Sequence, residues 1–551
     1  MILGIDIGGT HTDAVCIHEG EIVDTAKAVT GSDLVVSIME VIDALDIDYT
    51  AIRRVVLSTT LSTNAIIQKI YPLTGMIISA GPGIDPRNFF LTDDFFMVDG
   101  AMDHRGREYI PLNRDQVVSV AGSLKKTGVE GVGVVSKFSV RNPSHETAIC
   151  SMIEKDFKCS SMGHSISGSL DFPRRIHTTY LNTAVMPLQK TFVDAVKNAL
   201  NELGINAPLL FLKADGGTFS SSAADRLPVE TILSGPAASM MGALALNGDK
   251  SSTTLVLDVG GTTTDIGILL KGVPIFEPKG LDISGVKTLV RGLKVLSVGS
   301  GGDSCVRINN DRICVGPIRH GPPVALGGDI PTPMDAFALL GGFAQGDPEM
   351  ACRAISEMAC ELRRDEKAVA EEIISTMVKN IKNEVDAFIE EINSHPVYTI
   401  YEMLHPDIVR PDRIMVVGGP AMLLKPYIEK AFSLECIVPD NFMVANALGA
   451  ALAKTTTQIT LLADTHLDRL ICPELGIEEE APQLLSLQDL RSMGEKAIKE
   501  NAAYLGLSDD FDVSVIEEQS FNIVRGFSTA GRNMRVKMQT RPGIISQWRG
   551  Q

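Results

Sequence analysis

Twice in this chain an Asp is followed by a Gly-Gly pair, a run of hydroxyl residues and a second Asp, a spacing suited to holding a metal-borne phosphate. The first copy reads Asp6-Ile7-Gly8-Gly9-Thr10-His11-Thr12-Asp13 and the second Asp258-Val259-Gly260-Gly261-Thr262-Thr263-Thr264-Asp265. In each, an apolar strand runs into the first Asp and another follows the second, the pattern of a β-hairpin. Glycines bare the backbone so that successive N–H groups can close around an anion, and Thr10, Thr12, Thr262, Thr263 and Thr264 add hydroxyl donors. Carboxylates beside a phosphate repel it unless a hard cation lies between, so Asp6 and Asp258 are candidate Mg²⁺ residues, acting through waters. Asp13 and Asp265 are candidates to orient the hydroxyls or a nucleophile. His11 stands where the second copy has Thr263, and an imidazole there can donate to phosphate or polarise a substrate carbonyl. One such motif alone is equally a tight hairpin with a capping Asp; two matched copies, far apart, point to a duplicated domain with facing sites.

A third element is the strand Arg413-Ile414-Met415-Val416-Val417 ending in Gly418-Gly419-Pro420, where backbone can approach a purine and ribose closely. Together the three resemble the two phosphate motifs and the adenosine motif of the acetate and sugar kinase, Hsp70 and actin superfamily. Within it the chain is most similar to the hydantoinase A and 5-oxoprolinase family, which includes acetone carboxylase-type subunits. The stretches Leu57–Ala65, Thr231–Ala237, Ser297–Ser304 and Pro333–Ala336 carry that resemblance, in matching order, across roughly residues 2–455. Two departures stand out: Leu57-Ser58 replaces the family's His-Gly, and the family's subunits run longer at the C-terminus.

The resemblance implies an α/β fold with duplicated ribonuclease-H-like (actin-like ATPase) domains around a nucleotide cleft, and ATP with Mg²⁺ as cofactors. It also implies ATP-dependent opening of a cyclic amide or imide, such as a hydantoin or 5-oxoproline, by phosphorylation of the amide oxygen. A small-molecule kinase, an ATP-dependent carboxylase subunit acting on a ketone, and an ATP-gated binding or activator protein are alternatives on the same fold. A hydantoinase B-like partner subunit and an oligomeric state are expected from the same source.

The elements that must position these residues divide the chain into an N-terminal domain, 1–172, a core domain with the second hairpin and the adenosine motif, 173–455, and a small α+β extension, 456–551. Apolar residues recur at helical spacing from Asp33 to Leu45 and from Thr178 to Leu200, and mainly helical patterns fill Met334 to Asn393. The loop-rich segment Gly81 to Arg114 is expected to line the cleft.

The 551 residues, 44% hydrophobic, require several cores and describe a globular protein. A net charge of −18 argues against nucleic acid as a partner, because counterion release needs basic patches. No stretch approaches the apolar length of a membrane span, and Met1 runs into a strand rather than a leader, so a cytoplasmic location without membrane contact is expected. Nine scattered cysteines without CxxC spacing read as reduced thiols.

Overall fold

A computed structural model describes residues 1–551 except 278, 344, 395–407, 507–510, 541, 546–547 and 549–551. The first sheet starts with β1 (Ile2–Ile7), β2 (His11–His18) and β3 (Glu21–Val29), antiparallel neighbours joined by tight turns. Helix α1 (Leu34–Asp43), whose N-terminus is capped by the Asp33 carboxylate, leads to β4 (Arg54–Thr59), which lies parallel to β1. Helix α2 (Leu61–Gln68) follows at once.

Four parallel strands then form a separate sheet: β5 (Thr74–Ser79), β6 (Phe95–Met97), β7 (Gly131–Ser136) and β8 (Cys159–Met162), in the order β8-β7-β5-β6. The chain returns through the long helix α5 (Phe172–Glu202), preceded by α3 (Arg114–Lys126) and α4 (Ser144–Ile153) in the inserted unit. It adds β9 (Leu209–Leu212), parallel to β4, and β10 (Thr218–Ser220), giving the order β10-β9-β4-β1-β2-β3. The first sheet therefore draws strands from both sides of residue 172.

A second sheet repeats that plan. Strands β11 (Thr254–Val259) and β12 (Thr264–Leu270) form the hairpin, with β13 (Val295–Val298) on the outer side of β12; β14 (Arg413–Val417) lies parallel to β11, and β15 (Glu435–Ile437) parallel to β14. Asp6 faces Asp13 across the first hairpin, and Asp258 faces Asp265 across the second.

Between the two sheets run α6 (Ser234–Leu246) and α11 (Ala445–Leu452). Their small side chains pack with Val56 and Leu212 of one sheet and Val256 and Val417 of the other. The crossing is close because glycine removes the obstruction: a Cβ on Gly242 would lie 2.0 Å from the Ala445 carbonyl oxygen, and one on Gly449 2.1 Å from that of Ala238. A Cβ on Gly4 of β1 would meet the Ala447 carbonyl oxygen at 2.3 Å. Outside the second sheet, α7 (Pro333–Leu339), α8 (Pro348–Leu362), α9 (Glu366–Asn393) and α10 (Ala421–Phe432) build its second core.

Residues beyond 456 form an antiparallel sheet of β16 (Gln458–Asp464), β17 (Arg469–Cys472), β18 (Ile477–Glu479), β19 (Val513–Arg525) and β20 (Ser528–Thr540), covered by α12 (Leu487–Glu500). This sheet docks on the inserted unit, where Arg105 makes a forked ion pair with Asp464 at 2.7–3.0 Å. The Gly81 to Arg114 segment thus faces the C-terminal sheet and contributes no lining residue to the main cleft, against expectation. Near the C-terminus, the indole of Trp548, the chain's single tryptophan, donates to the Ala245 carbonyl at the end of α6, 3.0 Å away. No helix among the described residues is long and apolar enough to cross a membrane.

Candidate functional site

Each glycine turn closes in the same way, Gly8 N–H donating to the His11 carbonyl at 3.0 Å and Gly260 N–H to that of Thr263 at 2.9 Å. Both turns open onto one cavity of about 420 Å³ between the sheets, within the range of small-ligand pockets. Asp6, Gly8, Gly9, Thr10, His11 and Asp13 line one wall; Asp258, Gly260, Gly261, Thr262, Thr263 and Asp265 line the other. Gly418 and Gly419, at the end of β14, complete it. At Gly418 φ is +91°, and a Cβ would sit 2.6 Å from Asp258 Oδ1, so this turn needs glycine to pass beside that carboxylate.

Three expected contacts are absent from the wall. Thr12 and Thr264 are fully buried, with hydroxyls bonded to the Thr30 hydroxyl and the Ser300 carbonyl respectively. Strand alternation explains this: with Asp13 and Asp265 facing the cavity, their neighbours one residue earlier face the core. Pro420 is buried at the start of α10, behind the Gly418-Gly419 turn.

The four carboxylates share a poorly solvated space. Burial, with Asp13 and Asp258 nearby, pushes the Asp6 carboxyl up to about 7. Burial and the charges of Asp258 and Asp6 push Asp265 to about 7 against a 2.5 Å hydrogen bond from Ser297. Asp13 is also raised by burial, opposed by its 2.9 Å ion pair with Lys27 on β3. Asp258 instead accepts from Ser239 at 2.5 Å and from Asn446 at 3.0 Å. Partial burial, with Lys27 and Arg319 close by, lowers the His11 imidazole.

A divalent cation fits this donor set. Asp6 Oδ1 is buried without a hydrogen-bond partner, a costly state for a carboxylate oxygen that a cation relieves. Among the described residues no three His, Cys, Asp or Glu side chains form a protein-only cage. Such an open arrangement suits Mg²⁺, which keeps several waters and takes one or two carboxylates.

Three further motifs of the sequence support the cavity walls. Ser297–Ser304 buttresses the second turn, with Gly302 N–H donating to the Gly260 carbonyl at 2.9 Å and Asp303 N–H to that of Gly261 at 2.7 Å. Leu57–Ala65 meets Thr231–Ala237: the Ser234 hydroxyl donates to the Thr59 carbonyl at 3.0 Å, and Thr63 accepts from Leu233 N–H at 2.9 Å. Thr60, Thr63, Asn64, Gly235 and Pro236 thereby form a further wall. Lys27 and Arg319 carried no motif signal, since each reaches its partner only through the folded register.

The pattern of the Hydantoinase/oxoprolinase family matches residues 175–459, and that of the Hydantoinase/oxoprolinase N-terminal region matches 2–157. The caprolactamase subunit alpha of Pseudomonas jessenii is 26% identical over 384 residues, covering 62% of this chain and 55% of that protein. The acetophenone carboxylase gamma subunit of Aromatoleum aromaticum is 24% identical over 430 residues, covering 67% and 56%. These two matches span little more than half of each relative. Among solved structures, nucleotide-free acetone carboxylase superposes with a TM-score of 0.73 at 18% identity, over 100% of this chain and 88% of the other. The ATP-dependent caprolactamase of Pseudomonas jessenii gives 0.69 at 19%, over 98% and 87%. Both show a shared α/β fold.

Proposed function

Because the chain belongs to the hydantoinase/oxoprolinase family, we propose that its central cavity binds Mg-ATP and transfers the terminal phosphoryl group to the oxygen of a cyclic amide or imide, which water then opens. The observation that carries this reading is the convergence of two matched glycine turns and the Gly418-Gly419 turn on one cavity containing an unpartnered Asp6 oxygen. The repeated strand order supports assigning both halves to the ribonuclease-H-like, actin-like ATPase plan.

In phosphoryl transfer a protein mainly positions the reactants and offsets developing charge. The turns at Gly8-Gly9-Thr10 and Gly260-Gly261-Thr262-Thr263 cradle phosphate oxygens with backbone and hydroxyl donors. Gly418-Gly419 gives the adenosine a bare backbone surface. Asp6 and Asp258 would hold Mg²⁺ through waters, and the ion would supply charge neutralisation on the phosphates. Asp265 and Asp13 orient the acceptor or take a proton from water, tasks suited to carboxyls raised toward neutrality. His11, whose imidazole is lowered by partial burial and by the nearby Lys27 and Arg319, can donate one hydrogen bond to the substrate carbonyl.

Relatives named as carboxylase subunits favour a second reading, in which a ketone oxygen or bicarbonate is the acceptor. Relatives named as subunits also support a hydantoinase B-like partner that completes the reaction. ADP release measured with lactams, hydantoins and ketones separates the readings: a ring-opened product supports the hydrolase, and a phosphorylated or carboxylated product supports the second. Asp258→Asn should abolish Mg-dependent ADP release while the thermal transition stays within a few degrees. Full retention of turnover in that variant, or no calorimetric heat with Mg-ATP in the unaltered chain, would sink the proposal.

A further inference from the structure

One cation crosses from the second half of the molecule to the first glycine turn. Arg319 follows the hairpin of strands Val306–Asn309 and Arg312–Val315, on the way to α7, yet its Nη1 donates to Thr10 Oγ1 at 3.3 Å. Its Nη2 pairs with Asp303 Oδ2 at 3.1 Å. Asp303 in turn is fastened to the second glycine turn, since its N–H donates to the Gly261 carbonyl and a Cβ on Gly261 would meet its Oδ2 at 2.4 Å. Arg319 Nε is buried and has no hydrogen-bond partner. Among the described residues, this is the only hydrogen bond that the second half sends to the Gly8–Asp13 turn.

The geometry points to Arg319 as a phosphate-binding residue that spans both glycine turns and stabilises the terminal phosphoryl group of a nucleoside triphosphate during transfer; this rests on the Mg-ATP reading above. A guanidinium carries five N–H donors in a planar fork, of which two are used here, so unused donors remain beside the turn that would hold phosphate. The guanidinium acts by attraction and hydrogen bonding alone and moves no proton. In the step it serves, the bond from the γ-phosphorus to the β,γ-bridging oxygen breaks, with its electron pair leaving on ADP. A new bond forms from the same phosphorus to the acceptor oxygen. Negative charge builds on the oxygens being transferred and released, where a donor fixed between the turns offsets it. Because Arg319 is anchored on one half and touches the other, the two halves must keep their approach for the contact to persist.

The test is Arg319→Ala and Arg319→Lys in the full chain, with Mg-ATP affinity read by calorimetry and ADP release read under saturating ATP. Arg319→Ala should lower the turnover rate by at least about 100-fold while ATP affinity falls less than about tenfold. Lys, a point charge without the fork, should restore only part of the rate. Asp303→Asn, which frees the guanidinium without deleting it, should lower the rate by a smaller factor and guards against a folding defect in the Arg319 variants. Unchanged turnover in Arg319→Ala, or equal loss of affinity and rate, would overturn this assignment while the nucleotide reading stands. No Mg-ATP binding by the unaltered chain would overturn both.

Discussion

Asp6 and Asp265 carry carboxyls held near 7, far above the ordinary value for aspartate, and burial is the leading cause at both. A folded-state value above the unfolded one means that the native protein binds more protons between pH about 4 and 7. Each group therefore costs stability as pH rises through that window, and the full cost is present above 7. Mg²⁺ binding requires ionised carboxylates, so its benefit grows over the same interval. Differential scanning fluorimetry should show a Tm increase on adding Mg-ATP that is larger at pH 8 than at pH 6. In Asp6→Asn the pH dependence should flatten and the apo Tm at pH 8 should rise. Residue types at these positions were readable from the chain alone, because a carboxylate before Gly-Gly is an uncommon local pattern. The inward turn of Thr12 and Thr264 was also latent in the alternation Asp13-Ala14-Val15 and Asp265-Ile266-Gly267, but counting hydroxyls concealed it. Arg319 was not legible, since its partner Thr10 lies in the other half of the molecule and only folding brings them together.

Hairpins, parallel strands and the amphipathic helices follow from periodicity and turn residues, and the expected helices at Asp33 to Leu45 and Thr178 to Leu200 appear as α1 and a longer α5. The extra turns of α5 begin where Asp171 caps the chain ahead of Pro173, a start signal stronger than the hydrophobic pattern that follows. What periodicity could not show was the crossing of α6 and α11, because both are too uniformly small and buried to display a polar face. That crossing is fixed by volume. Gly449→Ala should place a methyl 2.1 Å from the Ala238 carbonyl oxygen and 2.4 Å from Gly242 N. Overpacking of this kind costs roughly 1–3 kcal/mol, which urea unfolding should read as a lower midpoint with an unchanged slope. Since Gly235, in the first turn of α6, lies in the cavity wall, ATP affinity should weaken in the same variant.

At the scale of the whole molecule, composition and length announced several cores, and the two repeated sheets account for two of them. The first sheet is interrupted by an inserted unit and resumes only at β9, a connection that no local pattern announces. A sequence records the order of elements, whereas sheet membership depends on pairings more than a hundred residues apart. The docking of residues beyond 456 on the inserted unit through Arg105 and Asp464 belongs to the same class of long-range pairing.

Helix α6 begins at the proposed nucleotide wall and ends at the Ala245 carbonyl that the indole of Trp548 grips. With no other tryptophan in the chain, emission excited at 295 nm comes from one spot at the far end of that rod. Titrating Mg-ATP should therefore change the intensity or wavelength of this glow saturably, and Trp548→Phe should extinguish the signal without altering calorimetric affinity. The fold has, in effect, wired its own optical gauge to the distant end of a lever.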